Sequence, residues 1–165
     1  MKTLKVSLVV GVGILVASLV LLWPQPVSAQ GDPFLGTWVL NVAKSKYTPG
    51  PPPKSQTVVW AAAAAGQGVK ITAKGMDANG KPTTTSYAPN YDGKDYPVTG
   101  NPDWDATSMK RVDAHTVEVT RKKAGKVVQT GTIVISSDGK TRTNTTSGVD
   151  AQGRKIKNVA VFDRQ

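Results

Sequence analysis

The sequence predicts an all-β fold, an antiparallel up-and-down β-barrel of about 8–10 strands. Three observations carry that prediction. First, polar glycine turns recur at Asp77-Ala78-Asn79-Gly80-Lys81, Asp92-Gly93-Lys94, Lys123-Ala124-Gly125-Lys126, Asp138-Gly139-Lys140 and Asp150-Ala151-Gln152-Gly153-Arg154. Glycine reaches the left-handed backbone that such turns need, and Asp and Asn favour the same geometry. Second, Gly125, Gly139 and Gly153 are 14 residues apart, which leaves roughly 8–10 residues per strand, as in a meander. Third, helix signals are nearly absent. The run Ala61–Ala65 is too short to overcome helix nucleation and continues the strand-type Thr57-Val58-Val59-Trp60, so it reads as a strand end. Ten antiparallel strands must hide their edges. Closure does so most completely, and a barrel tolerates polar inward positions better than the alternative, two packed sheets.

Along the chain, Lys2 and Lys5 precede an apolar run, Val6 to Leu22, and the small-residue exit Val27-Ser28-Ala29. This reads as a signal peptide, residues 1–29, cleaved after Ala29; the alternative is an uncleaved anchor. Residues 30–165 then form a single domain, and no second long apolar run follows, so no membrane span is expected after cleavage. The first strand is expected at 36–41. In the irregular stretch 41–55, Pro51-Pro52-Pro53 impose an extended, helix-incompatible segment, and the stretch reads as a loop crossing one barrel end. Further strands are expected at 56–64, 69–74, 83–88, 95–98, 107–112, 116–122, 126–136, 141–148 and 155–163. Alternation is clear in Thr116-Val117-Glu118-Val119-Thr120, where the valines face inward. In the next strand alternation is weaker: Val128, Thr130, Thr132 and Val134 oppose Val127, Gln129, Gly131, Ile133 and Ile135, and the second set is more apolar but interrupted by Gln129. The strand at 141–147 is almost wholly Thr, Asn and Arg, with β propensity but little apolar surface.

The 165 residues carry a formal net charge of +10. Lys2 and Lys5 account for only two units of it, so the mature domain stays basic. The chain has no cysteine, which excludes a disulfide scaffold, thiolate chemistry and cysteine-ligated metal. A small exported domain without disulfides suits a bacterial periplasm or extracellular medium.

Phe34-Leu35-Gly36-Thr37-Trp38 ahead of an antiparallel meander, and Val161-Phe162-Asp163-Arg164 at its end, resemble the calycin superfamily of lipocalins and fatty-acid-binding-protein-like barrels. With Lys44-Ser45-Lys46-Tyr47, Tyr91-Asp92-Gly93-Lys94-Asp95-Tyr96-Pro97-Val98 and Thr120-Arg121-Lys122-Lys123, the chain looks closest to uncharacterised bacterial exported lipocalin-like proteins. The resemblance implies that Trp38 packs across the closed barrel end, and that a late basic residue, Arg154 or Arg164, lies on it. It also implies two departures. The last-strand Arg-x-Tyr that holds a fatty-acid carboxylate falls here on Ala160 and Phe162, which bind no anion. A short Pro-rich loop replaces the helical lid.

Several residues invite a chemical reading. His115, the one histidine, sits in a turn beside Asp113 without an evident nucleophile. Asp77-Ala78-Asn79-Gly80-Lys81 lacks calcium-loop spacing, and no metal site or cofactor is expected. Asp92, Asp95, Asp103 and Asp105 are close enough in sequence to flank a glycosidic bond, but they lie among turn glycines and prolines. Tyr87, Tyr91, Tyr96 and Trp104 suit a barrel mouth, where amphipathic aromatics grip a ligand. Arg121-Lys122-Lys123 with Lys126 forms a basic hairpin tip. Nucleic acid is not the expected partner, given export.

These observations favour an exported, non-enzymatic binder of a small hydrophobic or amphipathic molecule, anionic ones included, periplasmic or secreted. Val117, Val119, Ile133 and Ile135 are its expected walls, and Tyr87, Tyr91, Tyr96 and Trp104 its mouth. Apolar burial would drive binding, at roughly 25 cal/mol per Å². Two rivals stand beside it. One is an interaction protein with a filled barrel and a basic contact hairpin, Arg121 to Lys126. The other is a hydrolase using the carboxylates between Asp92 and Asp105.

Overall fold

The computed structural model describes residues 31–63 and 68–165. The proposed leader, 1–29, and Ala64 and Ala65 lie outside the described residues. Ten strands follow in order: β1 Gly36–Leu40, β2 Ser55–Ala62, β3 Val69–Met76, β4 Pro82–Tyr87, β5 Asp92–Thr99, β6 Ala106–Arg111, β7 Thr116–Lys123, β8 Lys126–Ile135, β9 Thr141–Val149 and β10 Lys155–Arg164. All pair antiparallel with their sequence neighbours, and β1 pairs with β10 to close the barrel. Closure rests on the register Trp38↔Arg164, Val39↔Asp163 and Leu40↔Phe162. Among the described residues the only helical element is one 3-10 turn, Val42–Lys44.

β1 is shorter than β10, so half of β10 would present an open edge. The chain after β1 covers it. Lys46 and Val159 exchange backbone hydrogen bonds of 2.8 and 2.7 Å, and the Lys157 amide donates to the Thr48 carbonyl at 2.8 Å. The stretch read as a crossing loop is thus partly a seam that satisfies backbone groups of β10. A second difference concerns Asp92-Gly93-Lys94. These residues are no turn; they open β5, where the register to β6 shifts between Asp92 and Asp95. The glycine supplies a positive φ of 76° within an irregular strand.

The meander puts the β1–β2, β3–β4, β5–β6, β7–β8 and β9–β10 connections at one end and the remaining turns at the other. The second end is plugged by the segment before β1. Phe34 stacks on Trp60, ring centroids 5.6 Å apart. Trp38 is fully buried and its Nε1 donates to the Phe34 carbonyl at 3.0 Å. Arg164 lies over the Trp38 ring at 4.2 Å and donates to the Leu35 carbonyl at 2.7 Å and the Gly139 carbonyl at 2.6 Å. Of the two basic residues considered for this place, Arg164 takes it. Gly36 makes room for it: φ is +126°, and a Cβ there would stand 2.7 Å from the Arg164 Nη1. Beside this plug, Arg111 pairs with Asp32 at 2.7 Å, and Asp32 also accepts from the Tyr91 hydroxyl at 3.0 Å.

Inward positions sort by level. Toward the plugged end they are apolar, with Trp38, Trp60, Ile71, Met109, Val117, Val119, Ile133, Ile135 and Phe162 in one buried cluster. Toward the other end the same alternating rows turn polar. β7 runs Val117, Val119, Arg121; β8, read backwards, runs Ile135, Ile133, Gly131, Gln129; β9 is polar along its whole inward row, from Arg142, which pairs with Ile135 and Phe162 at the level of the apolar cluster, to Asn144 and Thr146. The barrel is therefore filled with apolar side chains in one half and polar in the other.

Candidate functional site

The polar half holds two adjoining compartments. The outer one, about 220 Å³, is lined by Tyr47, Asp103, Gln129, Thr146, Asn158 and others, and opens at the barrel mouth. The inner one, about 90 Å³, is lined by Val58, Ala73, Thr85, Tyr87 and Arg142. Gln56, Asn101, Trp104, Arg121 and Asn144 line both, so the compartments share a waist.

Arg142 forms the inner floor. Its position on β9 is in phase with Asn144 and Thr146, so strand alternation drives it inward. It is 2% exposed. Its guanidinium lies over Phe162 at 4.3 Å, Trp60 at 5.5 Å and Trp38 at 5.7 Å. Those ring faces favour a cation, but they accept no full hydrogen bond: Nε and Nη1 have no partner. Burial, with a smaller contribution from the like charge of Arg121, pushes its pKa down to about 9.

Arg121 occupies the waist. It continues the inward row of Val117 and Val119, and its Nη1 donates to Gln129 Oε1 at 3.1 Å and Thr146 Oγ1 at 3.3 Å. Its Nε has no partner. The guanidinium sits 4.8 Å from the centre of the Trp104 ring. Burial holds its pKa below the ordinary arginine value, against a smaller opposing pull from Tyr87 and Asp103. No carboxylate among the described residues forms an ion pair with either arginine. Asn144 Oδ1, also buried, is an acceptor without a donor.

Two loops roof the site. Trp104, in the β5–β6 connection, meets Tyr87 edge-on at 5.5 Å. The same connection is anchored across the mouth, where Asp103 Oδ1 accepts from the Ala151 amide at 2.9 Å. Tyr47, from the stretch between β1 and β2, lines the outer compartment; burial raises its pKa to about 12.

Of the expected mouth aromatics, the structure brings Tyr87 and Trp104 together at the waist. Tyr91 is elsewhere, at the plugged end: it stands under the Arg111 guanidinium, 4.0 Å from its ring centre. Tyr96 lines neither compartment and donates to Asp92 Oδ2 at 2.9 Å. The expected walls Val117, Val119, Ile133 and Ile135 belong to the packed cluster, and none of them lines either compartment. Trp38 is buried beneath the site. The basic hairpin also changes character, because Arg121 points into the barrel while Lys122 pairs with Asp95 at 2.7 Å.

The aspartates between 92 and 105 do not converge. Asp95 pairs with Lys122, Asp105 accepts from the Ala124 amide, and Asp103 holds the Ala151 amide. His115 is exposed in the β6–β7 turn, at the plugged end. Among the described residues no three His, Asp or Glu side chains gather as for a metal ion.

Sequence reasoning missed Arg142, Asn144, Gln129 and Asn158. A signal existed: each is a polar residue in the inward phase of a strand. No protein-family model matches the chain, and no curated protein matches it significantly.

Proposed function

We propose that this barrel binds a small anion-bearing molecule in its polar half, as a binding protein. One observation carries the reading: Arg142 is a buried cation with free donors and no counter-charge. Burying a charge without a partner costs several kcal/mol, so such groups persist where a ligand completes them. Arg121 adds a second guanidinium above it, and guanidinium forks suit carboxylates and other oxyanions. The basic balance of the chain adds long-range attraction for anions. The expectation of an apolar ligand along the lower walls gives way to a polar one, because that half of the barrel is occupied by the protein's own side chains.

The ten-strand closed meander, Gly36-x-Trp38 and Arg164 over Trp38 support placing the chain among calycin-like barrels. The leader-like residues 1–29 support export to the periplasm or medium. Expression with a C-terminal tag, fractionation and N-terminal sequencing test the export reading; a cytosolic chain that retains Met1 refutes it.

Thermal unfolding of the purified chain, with and without millimolar carboxylate, phosphate and sulfate salts at constant ionic strength, tests binding. At 100 times Kd a ligand of the folded state adds about 2.7 kcal/mol. Stabilisation by an anion that Arg142→Gln abolishes supports the proposal. Equal responses of the two proteins refute it.

A further inference from the structure

We infer that the ligand is a hydroxylated carboxylate of monosaccharide size, such as a sugar acid, and not a fatty acid. The inference rests on the anion reading above and adds the chemistry of the rest of the ligand. The inner compartment, about 90 Å³ with Arg142 at its floor, has room for a carboxylate and little more. The outer one, about 220 Å³, equals roughly seven waters of liquid, or on the order of ten non-hydrogen atoms. A long alkyl chain has no place to continue, because Trp38, Trp60 and Phe162 close the path below.

The waist and outer walls are rich in amides: Gln56, Asn101, Gln129, Asn144 and Asn158. An amide presents a donor and an acceptor side by side, which matches a hydroxyl that both donates and accepts; Gln129 already bonds Arg121 and Val149, Asn101 bonds Thr85 and Asp103, and Asn158 accepts from Thr48, so these three offer only their remaining hydrogen-bonding capacity. Asn144 Oδ1 is the informative atom. It is buried and has no donor, so a carboxylate alone leaves it unsatisfied, whereas a hydroxyl next to the carboxylate fills it. Trp104 lines both compartments beside these amides and adds apolar surface for the C–H groups of a sugar ring. The charge binds at Arg142, the adjacent hydroxyls bind Asn144 and the amides, and the ring packs beside Trp104.

Calorimetric and tryptophan-fluorescence titrations of the full chain test this with hexuronates and aldonates, their neutral parent sugars, acetate, inorganic phosphate and decanoate. At least one sugar acid is expected to bind about tenfold or more tighter than both its neutral parent and acetate. Asn144→Leu is expected to bring that sugar acid down to the level of acetate. Arg142→Gln is expected to weaken every anion. Circular dichroism confirms that each variant is folded, and Asn144→Asp, which keeps the side chain's size but repels an anion, provides a second variant that must lose sugar-acid binding. If acetate, phosphate or decanoate binds as tightly as any sugar acid, and does so through Arg142, the ligand class is overturned and the anion site stands. Neutral sugars binding as well as their acids, or no anion binding at all, overturns both.

Discussion

Replacing Arg142 by Met should make this protein more stable and unable to bind its ligand. The side chain is 2% exposed, and its Nε and Nη1 lack partners. Burial holds its pKa down to about 9. With about 1.4 kcal/mol for each tenfold change in proton affinity, the penalty for keeping the charge there is on the order of 5 kcal/mol. The three aromatic faces around it return roughly 0.5–2 kcal/mol each. Met fills much of the same volume without charge and contacts the same rings through its thioether. Because Met keeps those ring contacts, the lower aromatic return applies and the net gain expected is about 1–3 kcal/mol, or a rise in Tm of at least about 3 °C. The sign has a pH check. Because the folded pKa is depressed, the folded state binds fewer protons than the unfolded one above about 9. The penalty is complete below that value and is relieved as pH rises through it, so the advantage of Arg142→Met should shrink there. Urea and thermal unfolding in anion-free buffer, at pH 7 and above 9, measure both effects, and ligand titration measures the loss of binding. A variant destabilised by more than about 1 kcal/mol would show that Arg142 holds the fold together, and would remove the physical basis for the anion site.

The remaining predictions concern the plug and the phenols. Asp32→Asn breaks the 2.7 Å pair with Arg111 and weakens the 3.0 Å bond from Tyr91; urea unfolding should register a loss of about 1–2 kcal/mol, and no loss would mark the cluster as ornamental to stability. Gly36→Ala strains a backbone at φ +126° and pushes on Arg164. It should cost about 1–3 kcal/mol and change the emission of Trp38, and an unchanged spectrum would refute the packing described. Burial raises the pKa of Tyr47 to about 12, and Tyr87, Tyr91 and Tyr96 are raised as well. Native tyrosinate absorbance should thus appear later than the value near 10 of a free phenol. The stability that these phenols contribute is fully present below about 10 and is lost as pH rises toward 12; a native titration matching the unfolded chain would contradict this.

The fold was legible because it is written in local chemistry. Most turns from Asp77 to Arg154 carry a glycine, several with an Asp or Asn beside it, and strands such as Thr116–Thr120 show period-two alternation. The structure agrees with the expected strands to within a few residues, including closure of the last onto the first. Asp92-Gly93-Lys94 misled because the same positive-φ glycine that makes a turn also makes an irregularity inside a strand, and sequence does not distinguish the two. The seam at Lys46–Thr48 was illegible for another reason. It depends on β1 being shorter than β10, a length mismatch visible only once the two are paired.

The site was written in the same alternation, but against the usual expectation. Arginine is almost never fully buried, so Arg121 read as part of a basic hairpin tip and Arg142 as part of an almost wholly polar strand. Phase argues otherwise. Val117 and Val119 face inward, so Arg121 must too unless the strand bulges first, and the irregularity in β7 falls between Arg121 and Lys122. Likewise Ile135 and Ile133 commit Gln129 to the interior, where it accepts from Arg121 at 3.1 Å. A barrel selected only for stability would place apolar residues in that phase throughout, as this one does in its lower half. The upper half breaks the rule on β7, β8, β9 and β10, with Arg121, Gln129, Asn144 and Asn158 around one space. Local disagreement with the folding pattern, repeated on adjacent strands around one space, is what the proposed anion site would cost a small barrel. The stability gain expected of Arg142→Met measures that cost directly.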